Sequence, residues 1–525
     1  MPQAEAGQIA GAGDRPARIP AYSWYALGVL TLVYMVNFVD RQILSILAND
    51  IKADLGLSDS QLGFLYGTAF AIFYALFGIP LGKLADSWNR TRLLAVGMAL
   101  WSGMTALSGL ARSGMSLSLA RIGVGVGEAT ASPCAYSLIG DLFPSHRRAT
   151  ALSIYTSGLF VGSGVSLVIG AAIVKAWNAA FPAGGPFGLA GWQAAFMAVG
   201  LPGVGLALWV LSLREPLRGE IDGLPQTVGA QPWKEFAGQL MLIVPPFTVL
   251  GAARGGAMAL LINLAGAVGF ALGGWGLASA TGGGGQFWFL AAGAYAVFSW
   301  ACALRRDDRA TFNLTWGTPA FMAIVFAYGA VSYVGYTLSY WAAPYGERTF
   351  AFDKVMTGWL IGAPAAAGGF IGVLAGGWLA DRLLGRFAAG HLLVVLVGVL
   401  VPVPLVLLGY RTSDATTFLV CSFLLQAATS SALGAAGAAT QALVLPRMRG
   451  TATAIFFLGA TLIGLGIGPF MAGYVSEVSG SLRTGVQANL LIAPAGLLAL
   501  IYAITRYGAA EQSRLRRAGE MVSSA

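Results

Sequence analysis

The chain has 525 residues, of which 57% are hydrophobic and only 10% charged. Ordinary soluble domains carry about 25% charged residues, so an ordinary soluble enzyme is excluded. The net charge of +9 would suit a nucleic-acid binder, but in a chain this apolar an excess of Lys and Arg belongs in cytoplasmic loops, and no nucleic-acid partner is expected.

A helix that crosses a bilayer needs about 20 apolar residues, and such runs recur along the chain. Residues 1–21 are polar and lack the apolar core of a signal peptide; they read as a disordered cytoplasmic tail. Apolar segments follow near 23–46, 61–84, 92–112, 115–140, 148–175 and 190–213, which makes residues 22–214 an N-terminal six-helix bundle. Residues 215–316 form a central linker with two more apolar segments, near 255–279 and 285–304. Within it, 233–249 holds Pro245 and Pro246 and reads as either an interfacial helix or a span. A second bundle, 317–507, has segments near 317–343, 357–381, 389–409, 415–444, 449–474 and 484–506, and 508–525 is a second cytoplasmic tail. The predicted fold class is an all-α polytopic membrane protein with twelve core helices in two bundles and two inserted helices.

Nothing in the sequence points to an enzyme. The three cysteines have no metal-binding spacing, and no HExxH, P-loop or GxSxG motif is present. No cofactor or metal is expected.

Orientation follows from counting. With both termini inside, 22 of the 31 Lys and Arg residues fall on the inner side, 7 on the outer side, and Arg41 and Arg121 within spans. This is a positive-inside pattern, and it places the chain in the cell (inner) membrane with cytoplasmic termini. The chain also repeats. Gly82-Lys83-Leu84-Ala85-Asp86 through Arg90 follows the second span, and Gly377-Trp378-Leu379-Ala380-Asp381 through Arg386 follows the second span of the last six, 295 residues later. A second echo pairs Pro144–Ala151 with Pro446–Ala452. Two homologous halves of this kind are the architecture of many secondary transporters, with the site between them.

The Gly-x-Leu-Ala-Asp loops resemble the signature loop of the major facilitator superfamily, although Ser87 and Asn89 depart from it in the first copy. Asn37-Phe38-Val39-Asp40-Arg41, the stretch Ile51 to Gly63, and Arg121 to Ala129 running on to Asp141-Leu142-Phe143-Pro144 are similar to the matching elements of Spinster-family lipid transporters. The anion–cation symporter family shares the Asp-Arg and Arg…Glu-Ala elements. The resemblance implies that Asp40 and Glu128 couple transport to protons, and that the loop charges form a cytoplasmic latch.

The residues support that expectation independently. Asp40, Arg41, Arg121 and Glu128 sit within spans, where a central charge costs roughly 2.5–3.5 kcal/mol. Arg121 and Glu128 are two helical turns apart on one face. Asp40 and Arg41 point about 100° apart, so one faces a cavity while the other faces a neighbouring helix. Burial favours the protonated carboxyl and a nearby Arg the charged one, which makes Asp40 and Glu128 a proton switch, with Arg41 and Arg121 able to grip an anionic headgroup or hold an acid in its absence. The alternative is a structural salt-bridge cluster.

Other expectations concern the loops, the second half and the glycines. Asp86, Arg90 and Asp141 would latch the inner ends of spans 2 and 4, with Asp381 and Arg386 a lesser copy. Asn37, Tyr333, Tyr336, Gln426 and Thr429 are candidate cavity residues, whereas Tyr340 and Trp341 suit an interfacial belt. The pairs Gly158/Gly162, Gly358/Gly362 and Gly372/Gly376 suit close helix packing. The leading reading is a monomeric, proton-linked transporter of a lysophospholipid-like or sphingoid-phosphate-like amphiphile. A proton-coupled symporter of a small organic anion and a drug/proton antiporter are the alternatives.

Overall fold

The computed structural model describes residues 19–519 apart from 183, 220, 222–230, 282–284 and 388. Most of the N-terminal tail, the end of the C-terminal tail and part of the linker therefore lie outside the described residues. Among the described residues there is no strand, and twelve helices are long and apolar enough to cross a membrane, ten in the two halves and two in the linker; the predicted third and fourth spans, short or broken, are not among them.

The N-terminal half comprises α1 (Ala21–Leu55), α2 (Asp59–Ser87), α3 (Arg90–Ser108), the broken pair α4 (Gly114–Glu128) and α5 (Ala131–Leu142), α6 (Ser145–Ala180) and α7 (Gly191–Leu211). The linker contributes α8 (Pro232–Ile243), α9 (Phe247–Arg254), α10 (Ala257–Thr281) and α11 (Gln286–Asp307). The C-terminal half comprises α12 (Pro319–Phe350), α13 (Lys354–Leu384), α14 (Gly390–Gly409), α15 (Ala415–Ala442), α16 (Pro446–Ser479) and α17 (Leu482–Gln512).

Local chemistry sets the boundaries. α1 ends where Gly56 takes a positive φ of 63°, which a glycine adopts without Cβ strain. α2 restarts two residues later with a capping box: the Ser58 hydroxyl accepts from the Gln61 amide, and the Gln61 side chain accepts from the Ser58 amide. The fourth span breaks directly after Glu128. Pro133 has no N–H to donate, and the Thr130 hydroxyl donates to the Gly127 carbonyl at 2.8 Å, which gives that carbonyl a partner at the break.

The halves meet along three helix pairs. α1 meets α12, with Gln42 and Ser45 donating to the Ser339 and Tyr340 carbonyls. α6 meets α13 where a Cβ on Gly164 or Gly362 would lie 2.6 Å from the other's carbonyl oxygen. α2 meets α16, with Thr68 donating to the Gly466 carbonyl. All three predicted glycine pairs are packing contacts: Gly158/Gly162 against α1, Gly358/Gly362 against α6, Gly372/Gly376 against α15.

The inserted helices lie outside this core. α10 is mostly exposed. α11 packs over the α2/α16 seam, with Phe289 against Phe64 at 5.3 Å and Phe287 against Phe470 at 5.4 Å. The ambiguous 233–249 stretch is a sharply bent pair, α8 and α9, turning by 101°; α8 lies against the end of α2, with Trp233 on Trp88 and Glu235 paired to Lys83. Tyr340 and Trp341 are not an interfacial belt. Both are fully buried: Tyr340 stacks on Tyr66 at 4.3 Å, and the Trp341 indole donates to the Pro469 carbonyl at 3.0 Å. Their aromatic surface is used between helices, which sequence position near a span end did not reveal.

Candidate functional site

The break after Glu128 places that carboxylate at the C-terminal end of α4, where helix carbonyls disfavour negative charge. Arg41 on α1 answers it. The Arg41 guanidinium donates to Glu128 Oε2 through Nη2 at 2.6 Å and Nε at 3.1 Å, and both side chains are almost wholly buried. Its faces are walled by aromatic rings: Phe38, Phe70 and Tyr74 lie 4.6, 4.5 and 5.0 Å from the guanidinium carbon. Such contacts contribute about 2 kcal/mol or more each when desolvated, which helps offset the burial of the charge. Tyr34 extends the wall, touching Phe38 edge-on and stacking on Tyr155 at 4.4 Å, with Tyr136 beyond.

Asp40 and Arg121 are also buried, yet they do not form a carboxylate–guanidinium pair. Arg121 Nη1 donates to the main-chain carbonyl of Asp40 at 3.4 Å. The Asp40 carboxylate accepts from the Ser102 hydroxyl at 3.4 Å, with the Trp101 indole also facing it. Asp40 Oδ1, Glu128 Oε1 and two nitrogens of Arg121 make no hydrogen bond among the described residues. The 100° offset between Asp40 and Arg41 thus separates them as expected, one toward α3 and one toward α4. Asn37, one turn before Arg41, is buried.

The C-terminal candidates divide. Tyr336, half-buried on α12, reaches the site, with its hydroxyl against Arg41 and close to Tyr74 and Glu128, whereas Tyr333, one turn before it, is buried in the apolar core. Gln426 and Thr429 line a cavity of only about 40 Å³ between α6, α12, α13 and α15, with Gln426 donating to Ser430 at 3.2 Å.

The expected latch needs correction. Arg90 is fully buried and pairs with Asp141, but its other partner is Glu215, at 2.6 Å, and not Asp86. Asp86 is exposed and makes no hydrogen bond among the described residues, although it lies in the field of Lys83, Arg218 and Arg90. It sits at the end of α2 on the solvent side, whereas Glu215, beyond α7, folds back over the Arg90 guanidinium and also accepts from the Thr91 amide. Sequence separation hid Glu215. In the second half Asp381 and Arg386 are exposed and unpaired among the described residues.

The sequence reading also missed a charged cluster at the end of the molecule away from the termini. Asp59, 6% exposed, accepts from Lys52, Arg348 and Ser476. Lys354 pairs with Asp50 and Glu347. These residues flank short loops at span ends and read there as ordinary loop charges.

Two homologous helical halves meeting around buried charges define the class: a polytopic membrane transporter. The sequence profile of the Major Facilitator Superfamily matches residues 30–408, and the chain belongs to that superfamily. It is 29% identical over 490 residues to an MFS-type efflux pump of Mycolicibacterium smegmatis (strain ATCC 700084 / mc(2)155), covering 93% of this chain and 92% of that one. It is 29% identical over 214 residues to a probable L-galactonate transporter of Escherichia coli (strain K12), covering 41% of this chain and 44% of the relative. Its fold resembles the crystal structure of a bacterial homologue of the human lysosomal transporter Spinster, inward-facing and occupied. The TM-score is 0.67 and the identity 25%, covering 96% of this chain and all of that one. The resemblance read from the Asn37–Arg41 and Arg121–Ala129 elements is thereby shown.

Proposed function

We propose that this transporter is proton-linked and moves an amphiphilic, lipid-like substrate of the lysophospholipid or sphingoid-phosphate type by alternating access. The observation that carries the reading is the setting of Arg41: one buried guanidinium, held by one carboxylate and faced by three aromatic rings. A sugar acid presents many hydroxyls and calls for many polar partners. Aromatic walls around a single cation suit one anionic head joined to an apolar body.

In this reading Glu128 and the substrate compete for Arg41. While Glu128 is charged, it occupies the guanidinium fork. A proton on Glu128 removes that hold, and the fork is free for phosphate or carboxylate. Arg121, with two unbonded nitrogens, is a second donor to the same head. Asp40, held by neutral partners, Ser102 and Trp101, takes a second proton as the helices move. Both termini face the cytoplasm, the chain lies in the inner membrane among its lipids, and the transporter works as a monomer.

A second reading, a proton-coupled symporter of a small organic anion, is favoured by the likeness to the L-galactonate transporter. The full-length likeness to an efflux pump favours drug/proton antiport. Uptake into proteoliposomes of lysophospholipids, sphingoid phosphates, sugar acids and cationic drugs, with and without a pH gradient, separates them. Gradient-dependent movement of the lysolipids alone supports the proposal; movement of sugar acids or drugs alone overturns it.

A further inference from the structure

Two of the seams between the halves are equivalents. In each, the second span of one half lies against the fifth of the other: α2 against α16, and α13 against α6. Both are glycine contacts. A Cβ on Gly63 or Gly67 would lie 2.3 or 2.4 Å from the Pro469 or Leu465 carbonyl oxygen, and one on Gly358 would lie 2.8 Å from that of Leu167. Such contacts bring backbones close without interlocking side chains, so the halves can part there without drawing side chains out of one another.

The seams differ in what covers them. Beside α6/α13, Val161, Ile169 and Trp359 are 38–58% exposed. Behind that seam lies the narrow cavity already described, lined by Leu167 and Leu360 of the seam and by Gln42 within. Over α2/α16 lies α11, which touches both sides. Phe289 packs on Phe64 and Phe73 of α2, at 5.3 and 6.5 Å, and a Cβ on Gly293 would lie 3.3 Å from Ile72. Phe287 packs on Phe470 and Tyr474 of α16, at 5.4 and 6.0 Å. The Tyr474 hydroxyl donates to the Thr281 carbonyl at the end of α10, at 2.9 Å. Phe64, Ile72 and Phe470 are 8% exposed or less.

The insert is built for this position. Gly293, Ala296, Trp300 and Ala303 recur at helical spacing and are buried. Tyr295 and Ser299 lie on another face of α11, and hydrocarbon would leave their hydroxyls without partners. α10 supplies one: Asn263 accepts from Tyr295 at 2.6 Å and donates to Ser299 at 2.8 Å. Thr248 bonds the same Tyr295 hydroxyl, and Ser299 donates to the Leu242 carbonyl. Only Asn263 and Gly274 of α10 are buried, so α10 braces α11 and leaves its own apolar side chains to the lipid.

We propose that the inserted hairpin seals the α2/α16 seam against the bilayer, so that an amphiphile passing sideways between membrane and transporter has the α6/α13 seam alone. The seal belongs to the fold; its meaning for the substrate rests on the amphiphile reading.

The test is photolabelling by bulk lipid. The full chain is placed in phosphatidylcholine vesicles doped with a phosphatidylcholine that carries a diazirine on one acyl chain, irradiated and digested, and the adducts are mapped. The parent should be labelled at Trp359 and Leu360 beside α6/α13, and at Leu272 and Trp275 on α10, with Phe64 and Phe470 at background. In Phe287→Ala/Phe289→Ala, labelling of Phe64 and Phe470 should rise from background to the level at Leu360, with Trp359 unchanged. If the double variant does not fold, Phe289→Ala alone serves and should raise labelling of Phe64. Labelling of Phe64 and Phe470 in the parent as strong as that of Leu360 overturns the seal, and so does background labelling of Phe64 in a folded variant. The probe is bilayer lipid and no transport is read, so such a failure is distinct from failure of the amphiphile reading, which the uptake assay measures.

Discussion

The two halves share a fold and a repeat, yet they fill equivalent positions differently. At 295 residues after Asp40 and Arg41 stand Gly335 and Tyr336. The helices α4 and α15 start 301 residues apart, which sets Ser422 and Thr429 opposite Arg121 and Glu128. The packing is retained: a Cβ on Gly335 would lie 3.4 Å from Thr429, so α12 and α15 approach where α1 and α4 exchange the Arg41–Glu128 bond. One half concentrates the buried charge, and the other offers small and aromatic groups at the same depth. At the span ends away from the termini Lys52 and Asp59 stand against Glu347 and Lys354, opposite in sign, whereas Asp50 and Arg348 stand against the uncharged Tyr345 and Ala53. Duplication therefore supplied the frame, and function lies in where the copies stopped matching.

The sharpest way to break this comparison is to remove the cation. Arg41→Ala leaves Glu128 buried without a partner, and losing one member of a buried pair costs about 3–5 kcal/mol. Transport should be lost and thermal stability in detergent should fall. Arg41→Lys should retain more stability but impair transport, because the charge stays and the fork goes. Wild-type transport by Arg41→Ala would refute the role given to the guanidinium.

Next in size is the converse, charge placed in the neutral half. Thr429→Glu puts a carboxylate where no arginine answers it, and should destabilise by roughly 2.5–3.5 kcal/mol. Adding Gln426→Arg, one turn away on α15 and lining the same cavity, gives that carboxylate a partner and should recover part of that loss. A double variant no more stable than Thr429→Glu, measured by thermal melting, would mean the loss does not come from the unpaired charge.

The smallest effects concern the loop charges. Glu215→Gln weakens one bond to a buried guanidinium, and should cost about 1.5–3 kcal/mol. Asp86→Asn should change stability by less than about 0.5 kcal/mol, since Asp86 is exposed and makes no hydrogen bond among the described residues. Equal losses for the two would restore Asp86 to the latch.

Much of this was legible beforehand. Hydropathy located the two inserted helices and ten of the twelve core spans, because apolar length is a direct demand of the bilayer; α3 and the broken α4/α5 are not among the helices long and apolar enough to cross by that measure alone. The cost of charge in a membrane singled out Asp40, Arg41, Arg121 and Glu128, all of which are buried near one another. The pairing within that set was not legible: helical offset separates Asp40 from Arg41 but does not say that Arg121 bonds a main-chain carbonyl. Glu215 and Arg348 were hidden for a different reason. Each acts on a residue more than a hundred positions away, and near a span end a paired charge and a solvated one look alike in sequence. The 295-residue spacing was the available signal for the charged cluster, once Lys52/Asp59 and Glu347/Lys354 were compared by position and not by identity.

The central claim is that the buried acids beside the arginines couple transport to protons. Asp40→Asn and Glu128→Gln imitate the protonated side chains at nearly constant size and remove a buried charge. Gradient-driven uptake and gradient-free exchange should be measured side by side in proteoliposomes for each folded variant. The account predicts that each loses its dependence on the pH gradient and that at least one retains exchange. Full gradient dependence in both would contradict it and return the four charges to a structural role.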